Sequence, residues 1–234
     1  MKDLHSHILP GIDDGCNSEE ESIKLLKDII SSGVNEIVFT PHYTVNTKYI
    51  VNNKNKIEIF NKLKKIIKEN NLQIKVYLGN EILFCDDILK LINKGDIYTI
   101  NNSKTLLIEF PMMNLPYNAI NVFEELINAG YTIVVAHVER YYFVKNNIDI
   151  LNNFINMGVY LQGNYTSLFG KYGIESKKVL KKLLKKHMID ILSSDTHHEV
   201  IGNEKKIKRK LKWYLKDEEI DKLLYKNFDK LINT

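Results

Sequence analysis

The chain has 234 residues, 44% hydrophobic and 26% charged, enough to bury a sizeable core as one domain, 1–234, without staples, so that any metal is expected to be catalytic rather than architectural. A net charge of +4 is too mild to argue for nucleic acid, and none is expected as a partner. The two cysteines, Cys16 and Cys85, have no paired spacing and no arginine at the position of a Cys-x5-Arg phosphate loop, which excludes a disulfide framework, a zinc ribbon and a cysteine-based phosphatase loop.

The chain opens MKDLHSHILPGIDDG. DLHSH predicts a first strand on which His5 and His7, at i and i+2, face the same side. Asp14, with Asp13 as the alternative, can reach in from the loop that follows. Ser18 and Glu21 make a Ser-x-x-Glu capping box, Ile23, Leu25, Leu26, Ile29 and Ile30 supply an apolar stripe, and Gly33 stops the helix. EIVFTPH is a strand ending at His42, and a lysine-rich helix spans roughly Asn53 to Asn70. IKVYLGNE ends at Glu81, a short helix covers Asp86 to Asn93, and TLLIEF carries Glu109. A helix from about Tyr117 to Ala129 leads into YTIVVAHVER, with His137, Glu139 and Arg140 at its end. A further helix precedes VYLQGN, and a lysine-rich one precedes IDILSSDTH, which ends at Asp195 and His197. From Glu204 the tail reads as two helices. No linker, low-complexity segment or fixed-period repeat interrupts this order. No apolar run is long enough for a bilayer and the N-terminus has no signal-peptide core, so a cytoplasmic location without membrane insertion is expected.

The seven predicted strands are near-continuous apolar runs alternating with helices, the pattern of an α/β fold with a covered parallel sheet. In a barrel of this kind the C-terminal strand ends converge on one face, where active sites sit. Nearly every ligand-type residue lies at such an end. His5, His7, Asp14, His42, Glu81, Glu109, His137, Asp195 and His197 make about nine nitrogen and oxygen donors with no thiolate, too many for one ion and suited to two or three divalent cations of the manganese, iron or zinc type. Taken singly, each has an ordinary reading: a structural His-x-His pair, a glutamate that caps a helix or pairs with a lysine, a histidine in a loop. The joint pattern decides for a shared site, because five of the seven histidines lie at strand ends. His187, among helix lysines, and His198, directed away from His197, are set aside. Arg140 at the same rim suits a phosphate oxygen through its bidentate fork; the alternative is a salt bridge to Glu139 or a neighbouring acid. Lys177, Lys178, Lys181, Lys182, Lys185 and Lys186 read as a solvated helix face.

Together DLHSHILPGIDDGCNSEEES, TPH, GNEI, LLIEF, VVAHVERY and SSDTH resemble the polymerase and histidinol phosphatase (PHP) superfamily, and more narrowly its capsule and exopolysaccharide branch of bacterial manganese-dependent protein-tyrosine phosphatases. The resemblance covers essentially the whole chain, and HILPGIDDG with the following Ser-x-Glu-Glu-Ser is its most branch-specific part. It implies a distorted (β/α)7 TIM-like barrel, a trinuclear site ligated by His5, His7, Asp14, His42, Glu81, Glu109, His137, Asp195 and His197, and phosphate binding by Arg140. The implied substrate is phosphotyrosine, typically on the tail of a tyrosine kinase that controls polysaccharide export. One departure stands out: members often carry an Arg-Pro pair soon after the Asp-x-His motif, whereas this chain reads DTHHEVIGNEKK, with Lys205 or Lys206 as substitute point charges.

The expected chemistry is metal-assisted phosphomonoester hydrolysis, with hydroxide attacking phosphorus in line with the leaving phenolate, Arg140 and the cations neutralising phosphoryl charge, and His42 or a third cation helping departure. Asp195 shares the catalytic rim. Tyr43, Tyr117, Tyr141 and Tyr165 either line that rim and stack on a phenyl ring or pack at the barrel edge. Rival readings are a small-molecule phosphatase such as a histidinol phosphatase, a metal-dependent exonuclease, disfavoured by mild charge and the lack of an aromatic-basic strip, and a non-catalytic barrel that binds a partner. A degenerate barrel would have lost ligands, and none is missing here. The oligomeric state is left open.

Overall fold

The computed structural model describes residues 1–47, 49 and 52–234. Its strands are β1 (Lys2–Asp3), β2 (Glu36–Phe39), β3 (His42–Tyr43), β4 (Lys75–Leu78), β5 (Glu81–Leu83), β6 (Thr105–Glu109), β7 (Thr132–Val135), β8 (Tyr160–Asn164) and β9 (Ile191–Ser193). All pair in parallel, in the orders β1-β2-β4 and β3-β5-β6-β7-β8-β9. β2 and β3 are two halves of one predicted strand, as are β4 and β5. A parallel bridge between Ser6 and Thr196 joins the first segment to the last. The seven predicted strands thus follow one another around a distorted barrel.

The two broken strands correct the expectation of continuous ones. Pro41 has no N–H to give a ladder, and Gly79–Asn80 is its counterpart across the pair. Gly79 N still donates to Phe39 O at 2.9 Å, and the ladder resumes with His42 opposite Glu81. The first strand is also shorter than DLHSH suggests. Past Asp3, Ser6 Oγ donates to Val38 O at 2.7 Å and Ser6 N to Thr40 Oγ1 at 3.1 Å, so side chains share the ladder there with a backbone bond, Thr40 N to Ser6 O at 2.8 Å.

The helices are α1 (Glu19–Ser31), α2 (Asn53–Glu69), α3 (Ile88–Asn93), α4 (Ala119–Asn128), α5 (Tyr142–Asn146), α6 (Leu151–Asn156), α7 (Gly173–Lys185), α8 (Glu204–Leu211), α9 (Asp217–Asp221) and α10 (Asn227–Asn233). α9 runs through a π-helical turn, Lys222–Lys226, into α10, so the tail is two helical stretches. At α1, Ser18 Oγ accepts from Glu21 N at 3.2 Å, while the Glu21 carboxylate reaches Asn17 N at 2.8 Å rather than Ser18's own amide. Leu25, Leu26 and Ile29 are buried, each contributing about 1.5–3 kcal/mol relative to exposure. Among the described residues no helix is long and apolar enough to cross a membrane.

Most of the core lies between helices and strands. A second apolar cluster fills the barrel: Leu4, Val38, Leu107, Val134 and Ile191 pack against Phe228, Leu231 and Ile232 of α10. The C-terminal helix therefore plugs the N-terminal end of the strands, and the opposite end is left to polar side chains.

Gly15 fixes the opening loop against that polar end. Its backbone folds onto His7, and a Cβ there would lie 1.9 Å from His7 O. Gly15→Ala is expected to cost roughly 2 kcal/mol, the usual scale of overpacking, read as a lower melting temperature. An unchanged melting temperature would show that the loop moves aside freely.

Candidate metal centre

The strand ends gather a dense set of side chains. His5 Nε2 and His7 Nε2 are 3.1 Å apart, as expected for i and i+2 on one face. Each ring is held from behind: His5 Nδ1 lies 3.0 Å from Gln162 Oε1 and His7 Nδ1 2.6 Å from Asp13 Oδ2. Both outer partners are acceptors, so the δ nitrogens donate and the ε nitrogens are turned inward.

Glu81, 1% exposed, is the hub. Its Oε2 lies 3.1 Å from His5 Nε2, 3.2 Å from His7 Nε2 and 3.1 Å from His42 Nδ1, and its Oε1 lies 2.9 Å from His137 Nε2. Glu109 adds oxygens 3.4 Å from His42 Nδ1 and 3.6 Å from His137 Nε2. Asp195 Oδ1 is 3.5 Å from His5 Nε2 and 3.6 Å from His7 Nε2. On the open side Asp14 Oδ1 is 3.4 Å from both His42 Nε2 and His197 Nε2, and the His197 ring stacks on His7 with centroids 4.0 Å apart.

Three subsets have donor atoms close enough to share an ion: His7, Asp14, His42 and His197; His5, His7 and Glu81; and His42, Glu81 and Glu109. His137 and Asp195 border these groups. Asp14 faces the cluster, whereas Asp13 stands behind it, accepting from His42 N at 3.1 Å and Gly15 N at 3.1 Å as well as holding His7. The donor chemistry fits divalent cations. His42 Nδ1 is buried and 3.1 Å from Glu81 Oε2, yet it makes no hydrogen bond of acceptable geometry, as when two donors address a common point between them. Nitrogen and oxygen donors without thiolate suit manganese, iron or zinc.

The electrostatics point the same way. Burial raises the Glu81 carboxyl, but His5, His42 and His137 outweigh it and hold the group well below its usual range. Burial likewise opposes ionisation of Asp195, and His5, His137 and Arg140 overcome it. His7 is pulled down by burial, yet Asp13 and Glu81 carry it to about 10. His137 is lowered by burial and Arg140, but Glu109 and Glu81 bring it to about 9. His42 is driven far above the ordinary imidazole range by Glu81, Asp14 and Glu109 against its burial. Without metal, protons are what balance the carboxylates.

Two of these residues depart from the expected strand geometry. His137 has φ 32° and Asp195 φ 52°. Both lie beyond the ends of β7 and β9 in the left-handed region, where non-glycine residues concentrate at sites that the surroundings hold in place.

Several contributors were not singled out from sequence. Gln162 Oε1 also accepts from His137 N at 3.0 Å, and Gln162 Nε2 donates to Asn164 Oδ1 at 2.6 Å. Asn164 Nδ2 and the Tyr172 hydroxyl each donate to Asp195 Oδ2 at 2.9 Å. The spacing Gln162-x-Asn164 on a strand was a usable signal. Tyr172 had a weaker one: it lies in a Gly-Lys-Tyr-Gly turn whose two glycines have φ 93° and 86°. Arg140 Nη1 binds Asp195 Oδ2 at 2.6 Å, and its guanidinium lies 4.3 Å from the Tyr172 ring centroid. It does not pair with Glu139, which is buried and takes hydrogen bonds from Ser167 Oγ at 2.7 Å and Asn164 N at 3.2 Å.

For three of the four tyrosines the packing alternative holds, and the two lysines stand away from the rim. Tyr43, Tyr141 and Tyr165 are core residues, 2%, 0% and 3% exposed, which leaves Tyr117 exposed and the other three unable to stack on a substrate. Lys205 and Lys206 begin α8 beside Glu204, whose Oε2 is 3.2 Å from the amino group of Met1. They flank the N-terminal end of the barrel, not the rim. Lys171 is the lysine near Asp195 and Arg140, and burial lowers its ammonium below the usual range. His187 pairs with Glu219 at 2.7 Å on the surface, and His198 lines a separate cleft with Cys16 and Glu21.

The sequence profile of capsular polysaccharide synthesis, CpsB/CapC, matches residues 1–233. CapC of Staphylococcus aureus is 37% identical over 198 residues, 84% of this chain and 77% of that protein. The tyrosine-protein phosphatase CpsB of Streptococcus pneumoniae is 34% identical over 204 residues, 85% of this chain and 83% of that protein. Among solved structures, one described as YwqE from Bacillus subtilis and CpsB from Streptococcus pneumoniae, unique metal-dependent tyrosine phosphatases, superposes with a TM-score of 0.91 at 26% identity. It covers 100% of this chain and 96% of that one.

The histidine shifts give the metal-free protein a distinct pH dependence. An unfolded histidine titrates near pH ~6.5. His137 and His7, raised to about 9 and about 10 in the fold, add stability that is complete below that pH and is lost as pH climbs through their folded values. The depressed carboxylates, Glu81 and Asp195, contribute above their unfolded range and lose that contribution in acid. In chelator the melting temperature should therefore fall between pH ~6.5 and ~9. The increment added by manganese should grow over the same interval, because ligands must shed protons to bind. A chelated protein that gains stability steadily across that interval would contradict the assignment.

Proposed function

The chain belongs to the CpsB/CapC family of capsular polysaccharide synthesis, and from that premise we propose that it is a single-domain, metal-dependent protein-tyrosine phosphatase. The observation that carries the reading is the convergence of His5, His7, His42 and His137 on buried Glu81, with Arg140 at the edge of the same cluster. Its substrate is a phosphotyrosine protein, the tail of a bacterial tyrosine kinase that governs polysaccharide export, met in the cytoplasm.

His5, His7, Asp14, His42, Glu81, Glu109, His137, Asp195 and His197 would hold two or three divalent cations, manganese before iron or zinc. Such cations, when bound, supply Lewis acidity, lowering the pKa of water and offsetting charge on the phosphoryl group. The protein's own groups do the rest. Gln162 and Asp13 fix the rings of His5 and His7 so that their ε nitrogens point inward. Arg140, 24% exposed, directs the free edge of its guanidinium to the phosphoryl oxygens. Water attacks phosphorus in line with the tyrosyl oxygen, one P–O bond forms as the other breaks, and His42, on the open side of the cluster, stands where charge develops on the leaving phenolate.

No covalent phosphoenzyme is needed, and neither thiol is suited to one. Burial pushes the Cys16 thiol up to about 11 and also raises that of Cys85, the reverse of an activated nucleophile.

Metal-stripped protein refilled with manganese should release phosphate from a phosphotyrosine peptide, and His7→Ala should reduce this to background. Arg140→Ala should raise KM by about 30-fold, the equivalent of ~2 kcal/mol for a charged hydrogen bond. Manganese uptake without peptide hydrolysis, together with turnover of histidinol phosphate, would move the assignment to a small-molecule phosphatase.

A further inference from the structure

Lys56 stands out among the charged side chains that the chemistry above does not use. It lies on α2 and is 1% exposed. Its ammonium donates to Asn80 Oδ1 at 2.7 Å and sits 5.5 Å from the centroid of the Tyr43 ring, with no ion pair among the described residues. Burial pulls the ammonium down to about 7 against the opposing influence of Asp96. An ammonium buried without a carboxylate is costly, which directs attention to what it holds.

Asn80 occupies the interruption between β4 and β5, and Pro41 the interruption between β2 and β3. Asn80 Oδ1 accepts from Lys56 Nζ and from Tyr98 N at 2.9 Å, while Asn80 Nδ2 donates to Pro41 O at 2.8 Å. Pro41 has no N–H to offer, but its carbonyl also accepts from Glu81 N at 3.2 Å, so the Asn80 side chain adds a second link between the two strands where the regular ladder is interrupted. An asparagine amide has two orientations related by a flip. Two donors on one side select the orientation that leaves the NH2 group facing Pro41. The next residues along the two strands are His42 and Glu81, paired opposite each other, with His42 Nδ1 3.1 Å from Glu81 Oε2.

We propose that Lys56 is a positioning residue for the metal centre: by fixing the Asn80 amide it locks the two strand interruptions together and sets the approach of His42 to Glu81. This rests on the reading that those two residues hold metal. The competing account is that Lys56 only fills space between α2 and the barrel.

The test is manganese binding by calorimetry to the metal-stripped full chain, beside its melting temperature. Lys56→Met keeps the length of the side chain and removes the donor. A buried charge replaced by an apolar side chain often leaves stability unchanged or higher. Manganese affinity should nevertheless fall by about 10-fold or more, the scale of effects from residues that orient metal ligands. Asn80→Ala should weaken binding comparably. The double variant should bind no worse than Asn80→Ala alone, because Lys56 acts through that amide. Should Lys56→Met not fold, Lys56→Gln, which retains a shorter donor, replaces it and should lose less affinity than Asn80→Ala. Wild-type affinity in Lys56→Met, or in Lys56→Gln together with Asn80→Ala, overturns the proposal alone, as do independent, multiplying losses in the double variant. A wild-type chain that takes up no manganese brings down the phosphatase reading with it.

Discussion

One buried carboxylate oxygen has three imidazole nitrogens within 3.2 Å of it, and the rim of the barrel is organised around that fact. Glu81, Glu109 and Asp195 stand close enough to repel one another, and an anion away from water is stable only if positive charge or hydrogen bonds surround it. His7, His42 and His137 supply part of that compensation, the neighbouring carboxylates holding their imidazoles above the ordinary range. The apolar packing of Phe228, Leu231 and Ile232 inside the strands lies at the other end of the barrel, so cohesion and chemistry are separated along the barrel axis.

The sequence reveals the repeating strand and helix units because apolar runs and amphipathic stripes are local patterns. It also reveals which residues meet, because parallel strands bring all their C-terminal ends to one face. The broken strands are a different matter. Pro41 carries a hint, since proline cannot serve a central ladder. That the break recurs at Gly79–Asn80 follows from a tertiary pairing that no local pattern encodes. The left-handed backbones of His137 and Asp195 are equally illegible: His and Asp tolerate that region better than most side chains, but nothing local says which of them will enter it.

Alternation explains one further difference. Tyr43 follows His42 on a strand, so the same pleat that aims His42 at the cluster turns Tyr43 into the core. The choice between Asp13 and Asp14 was open because adjacent residues in one loop have equal reach. The fold of Gly15 against His7 settles their places, laying Asp13 on His7 Nδ1 and leaving Asp14 free to face His42 and His197.

Arg140 is tied to the interior by a continuous hydrogen-bonded chain. Its guanidinium binds Asp195; Asn164 donates to the same carboxylate oxygen; Gln162 donates to Asn164; and the other end of the Gln162 amide takes the proton of His5 Nδ1. Each amide has one orientation that satisfies both of its neighbours, so the orientation of the His5 ring and the placement of Arg140 are not independent. Tyr172 closes the chain at the rim. Burial and Asp195 push its phenol far up, so it stays protonated and donates, while its ring covers one face of the guanidinium. A guanidinium has five N–H donors, and with one committed to Asp195 and the Tyr172 ring against it, the others remain on a side chain that is still 24% exposed. The proposed contact with a phosphoryl group rests on those donors. A point-charged lysine at the same place would lack the fork, and a freely rotating arginine would lack the fixed direction.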